Sequence, residues 1–176
     1  MKKRYSIVFW LAVIFAGLFG QMAAFGLDAS YSTNSTIQSS KFKISGFVHD
    51  SDVIYGTCWF FDDGTFDLYD GTSDYTGTYS LVNKGKKIAF KLDPDGLSAV
   101  EDMLTDWVQS LADDAGVQVD DLSFSFRKVT ISQATISKKT GKPNKVTIKI
   151  QGTATASVDG SYKTRNFSYE CVVTFL

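Results

Sequence analysis

Two cysteines, two prolines and a single histidine in 176 residues set the first limits. So little His and Cys leaves no cluster of the kind that holds zinc, and no metal or cofactor is expected. A Ser/His/Asp site would have to use His49, beside Asp50 and close to Asp52, yet no nucleophile-elbow motif accompanies it. No glycine loop follows a strand and opens a helix, so phosphate cradling has no motif either. The scarcity of proline excludes collagen-like repeats. A content of 44% hydrophobic and 21% charged residues is that of a folded domain, not of a disordered chain or coiled coil. The length suits one domain with its own core.

The N-terminal segment reads as processed rather than folded. Lys2, Lys3 and Arg4 precede the apolar run SIVFWLAVIFAGLFG, and Ala24-Phe25-Gly26 offers small residues before a cut. A basic head, an apolar middle and a small-x-small end describe a secretory signal peptide over residues 1–26. The alternative is an uncleaved anchor, since about 20 apolar residues can span a bilayer. Export to a periplasmic or extracellular location follows, with membrane association only if the segment stays. Cleavage removes three basic residues and no acid. It leaves 15 basic against 19 acidic residues, a charge of −4. That balance opposes nucleic-acid binding, which depends on neutralising phosphates.

Leu27 to Ser40 (LDASYSTNSTIQSS) is rich in Ser, Thr and Asn and reads as a flexible leader over residues 27–40. One domain is expected over residues 41–176. Val53–Phe61 is apolar on both parities, a strand expected to be covered on both faces. Asp62-Asp63-Gly64, Asp70-Gly71 and Asn83-Lys84-Gly85 are turn signals between short alternating runs. Leu122, Phe124 and Phe126 are apolar at even positions, Val129 and Ile131 at odd ones, and Ala134 and Ile136 at even ones again. Each change of parity implies a bulge, bend or new strand. Val146–Val158 alternates almost throughout, and Phe167, Tyr169, Cys171, Val173 and Phe175 share one face of a last strand.

One segment has helical periodicity. Val100, Leu104, Trp107 and Leu111 recur at spacings of four, three and four, predicting an amphipathic helix over residues 98–115. Ser98 and Glu101 match a capping box, and Gly116 is a C-terminal stop. The fold expected is therefore mainly β with one helix (α+β). It is a strongly curved antiparallel meander of about eight strands, barrel or half-barrel, with the helix inserted mid-chain. Cys58 and Cys171, an even pair in an exported chain, suggest a disulfide that would hold the opening and closing strands side by side. Two separate buried thiols are the alternative.

Trp59-Phe60-Phe61-Asp62-Asp63-Gly64-Thr65-Phe66, followed by Tyr75-Thr76-Gly77-Thr78-Tyr79, resembles the meander of bacterial secreted lipocalin-like domains over residues 53–91. The family's Gly-x-Trp is here Gly56-Thr57-Cys58-Trp59, and this helix interrupts the strands instead of following them. The resemblance implies a small barrel holding an apolar ligand.

Three functions are weighed. The first is a non-catalytic binding module for a small apolar ligand, with Trp59, Phe61, Tyr79 and Trp107 as candidate lining residues. The second is a structural or envelope-associated interaction domain. Its motive is charge: nine acids and no Lys or Arg from Asp93 to Asp121, then nine basic residues against Asp159 and Glu170 to the end. The third is an enzyme built on the acids between Asp62 and Asp74, and it has the least support. Asp at turns is favoured for its local hydrogen bonds.

Overall fold

The computed structural model describes residues 31–44, 47–50 and 53–176. The segment read as a signal peptide lies outside the described residues. The strands are β1 (Tyr31–Ile44), β2 (Phe47–Asp50), β3 (Ile54–Phe60), β4 (Thr65–Tyr69), β5 (Asp74–Val82) and β6 (Lys87–Leu92). After helix α1 (Pro94–Ala115) come β7 (Val119–Ile131), β8 (Ala134–Thr135), β9 (Lys145–Val158) and β10 (Ser161–Phe175). All pair antiparallel in one sheet of order β7-β9-β10-β1-β3-β4-β5-β6-β8, with β2 also on β1. The sheet curls into a half-barrel around a single apolar core.

The Ser/Thr-rich leader is the largest departure from expectation. From Tyr31 onward it is strand, and β1 lies between β10 and β3. Thr33, Ser35 and Thr36 are buried, and the Thr33 hydroxyl donates to the Leu176 carbonyl. A register shift between Gln38 and Lys41 changes the buried parity of β1, from Ile37 to Phe42. First and last strands are thus direct neighbours.

The other strands follow their alternation. Phe66 and Leu68 of β4, Ile88 and Leu92 of β6, Val146 and Ile150 of β9 and the odd residues of β10 from Phe167 point inward. The parity change in β7 is a bulge between Phe126 and Lys128, and the next change begins β8. At this rim β8 pairs with β6, while the Thr135 carbonyl accepts from the Asn144 N–H just before β9. The short strand β8 leaves little free edge there. β3 departs from its expected double cover: Tyr55 is 74% exposed and Trp59 37% exposed on the outer face.

α1 begins four residues before the expected start. Asp93 is its N-cap, with Oδ1 accepting from the Gly96 N–H at 2.8 Å, and Pro94 occupies the first turn, where its missing N–H costs nothing. The same Oδ1 accepts from the Thr76 hydroxyl at 2.8 Å, tying the helix to β5. Gly96 packs so closely on β5 that a Cβ there would collide with the Thr76 carbonyl. The capping box does not form: Ser98 is exposed within the helix, and Glu101 accepts from the Phe124 N–H of β7 at 3.1 Å. At the other end Gly116 takes the left-handed conformation, φ 65°, that closes the helix.

Candidate functional site

The four candidate lining aromatics do not converge on one cavity. Trp59 stands on the outer face of β3, opposite Asp67. Phe61 is 37% exposed just past that strand, and its carbonyl accepts from the Tyr79 hydroxyl at 2.6 Å. The Tyr79 ring packs edge-on against Phe60, at 5.3 Å between centroids. Trp107 of α1 packs against Phe42 and Tyr169, at 6.4 and 5.9 Å. Tyr79 and Trp107 thus support two aromatic clusters that fill the interior. One is Phe60, Phe66, Phe90 and Phe175, and the other is Phe42, Phe124, Phe126 and Phe167.

Against the first cluster remains a void of about 50 Å³, walled by Leu68, Tyr75, Phe90, Val100, Met103, Cys171 and neighbours. That is well below the ~300–1,000 Å³ of small-molecule sites. Tyr75 donates its hydroxyl to Asp70 Oδ2 at 2.9 Å, and burial, then the Asp70 charge, raises its pKa.

The expected disulfide is absent: Cys58 and Cys171 are free, buried thiols. The reason lies in the register. Cys58 sits opposite Thr33 on one side of β1, and Cys171 lies on the other side, at the β1 register shift. Strands separated by a third are roughly 9–10 Å apart, beyond the ~7 Å reach of a disulfide. Burial pushes both thiols up, Cys171 to about 11.

The acids from Asp62 to Asp74 do turn work. Asp63 Oδ1 accepts from the Thr65 N–H at 2.9 Å and from its hydroxyl at 2.6 Å, bonds that hold the carboxyl below its usual range. Asp70 Oδ1 accepts from the N–H groups of Thr72 and Ser73. Asp67 differs: Oδ1 is buried without a partner, and desolvation, then the Asp74 charge, raises its pKa. Among the described residues no group of three or more His, Cys, Asp or Glu could hold a metal ion.

The space large enough for a ligand lies elsewhere. A groove of about 390 Å³ runs between the C-terminal half of α1 and the concave sheet, within the ~300–1,000 Å³ of small-molecule sites. It exists because β9 turns small residues inward. Ala154 and Ala156 stand on the same parity as Val146 and Ile150, so the sheet falls away from the helix. Val108 and Leu111 form the helix side, and Val119 and Leu122 the β7 side. On the β10 side stand Lys163 and Arg165, the cross-strand partners of Ala156 and Ala154. The signal for this site was in the last strand, whose inward parity of aromatic and aliphatic residues carries two cations at its start.

Exposed Asp95, Asp102, Asp106 and Asp113 follow the outer side of α1 at spacings of seven, four and seven, a solvent-facing acidic stripe. No helix among the described residues is long and apolar enough to cross a membrane. No family model, curated protein or solved structure matches this chain.

Proposed function

We propose that the protein is an exported, non-catalytic binding module that holds a small apolar ligand in its curved sheet, in the groove under the second half of α1. The single observation that carries the reading is the groove itself: about 390 Å³, apolar on three sides, against a core void of only about 50 Å³. The basic head and apolar run of residues 1–26 support export. The lipocalin-like resemblance of residues 53–91 supports ligand binding rather than catalysis, although the groove lies at the helix and not in the barrel centre. Titration with a lipophilic fluorescent reporter tests it. Saturable binding that Ala156→Phe abolishes is the expected result, and binding that is non-saturable or indifferent to Ala156→Phe refutes it.

A structural or envelope-associated interaction domain is the second reading. The outer face of β3 and β4 favours it, because Tyr55, Trp59 and Tyr69 are all exposed there. Its charge would come from the acidic stripe of α1. Salt-sensitive capture of an envelope protein that is lost in Tyr55→Ser/Trp59→Ser would support this reading over the first.

A further inference from the structure

Strand period fixes which β10 side chains face the groove. Phe167, Tyr169, Cys171, Val173 and Phe175 are buried on the inner parity, and that parity continues to Arg165 and Lys163. Both cations border an otherwise apolar space. Both side chains are exposed, so their charged ends stand at the solvent side of the groove with their stems along its apolar wall. The ion pairs of the described residues lie elsewhere, Lys41 with Asp50 and Lys149 with Glu170. Arg165 uses Nη1 on the Thr164 carbonyl at 3.1 Å, one of its five N–H donors. Asp159, at the hairpin, is the single acid among the lining residues. Nearby Asp121 accepts from the Tyr162 hydroxyl at 2.7 Å. The groove therefore joins a hydrocarbon-sized apolar floor to two cations on one side.

We infer that the groove takes a single-chain anionic amphiphile of the fatty-acid type. Its tail lies on Ala154 and Ala156 between α1 and β7, and its carboxylate meets Lys163 and Arg165. This rests on the binding-module reading above and adds the ligand's chemical class. Two properties follow. Each added methylene strengthens binding by about fourfold until the groove is full. The carboxylate adds about fivefold to tenfold over a neutral head at low salt, an advantage that shrinks as salt rises.

The test is calorimetric titration of the protein with octanoate, decanoate, decanol and decyltrimethylammonium, all below their aggregation thresholds. It includes Lys163→Gln/Arg165→Gln, which removes charge from exposed positions and keeps the stems. Ala156→Phe fills the floor, and Ala115→Trp, at an exposed helix position lining the groove, blocks it from the other side should the first variant melt early. Decanoate binding at least fivefold tighter than decanol, with the difference lost in the double Gln variant, is the expected result. Equal affinity for decanoate and decanol, or a preference for the ammonium, overturns the anionic assignment while leaving the apolar groove standing. No binding of any of them, or binding that both blocking variants leave unchanged, overturns the groove as a site and the ligand class with it.

Discussion

Asp93 carries more of the helix than its place in a turn-like Pro-Asp-Gly context suggests, and its removal has a calculable cost. Its Oδ1 accepts from the Gly96 N–H and the Thr76 hydroxyl, both at 2.8 Å. Asp93→Ala loses the N-cap, about 1 kcal/mol. It also strands a half-buried Thr76 hydroxyl, roughly another 1 kcal/mol. The total of about 2 kcal/mol lowers the urea midpoint by about 1 M at a typical slope of ~2 kcal/mol per M. Ser98→Ala is the control. Ser98 is exposed inside the helix, so alanine there is neutral or stabilises by a few tenths of a kcal/mol, roughly its propensity advantage. Asp93→Asn, which retains a capping oxygen, falls between wild type and Asp93→Ala. Combining Asp93→Ala with Thr76→Val costs less than the two separate losses together, because they share one hydrogen bond. Urea melts followed by far-ultraviolet circular dichroism read all of these. A Ser98→Ala loss equal to or larger than that of Asp93→Ala would mean that the helix starts at the capping box, and would refute the Asp93 anchor.

Two further outcomes follow from buried groups. A thiol reagent labels neither Cys58 nor Cys171 in the native protein and both in denaturant without prior reduction; fewer than two free thiols after unfolding would show that the β1 spacer between them is wrong. Asp67→Asn raises the melting temperature at pH 7. The folded-state pKa of Asp67 is raised by desolvation and by Asp74, so ionisation opposes folding as pH climbs from the ordinary carboxylate value through the raised one. The advantage of Asn therefore closes as pH falls below that window, and a gain that grows on acidification would contradict the assignment.

How far the fold was legible depended on where burial and side-chain type agree. β9 was readable because apolar and polar residues alternate over its 14 residues, and β10 because they alternate from Phe167 to Phe175. The β7 bulge was readable because Phe126 and Val129 lie on opposite parities. The first half of β1 was not, because three of its buried positions are Thr33, Ser35 and Thr36, whose composition matches a solvated linker. Ser35 is buried opposite Gly56 of β3 and Phe175 of β10, where the close strand packing suits a small side chain. The helix start was missed because Pro94-Asp95-Gly96 carries turn chemistry, although proline also suits a first helical turn. For the site, aromatic residues were the wrong guide, since the large rings fill the core. The informative residues were the small ones, Ala154 and Ala156, together with cations on an inward parity.

Photo-crosslinking with a decanoate carrying a terminal diazirine, mapped by peptide mass spectrometry, tests groove binding most directly. Occupancy of the groove predicts saturable adducts on Val108–Ala115 and Ala154–Val158, displaced by unlabelled decanoate. Saturable adducts concentrated instead on Tyr55, Trp59 and Tyr69, or on the residues around Cys58 and Met103, would contradict it.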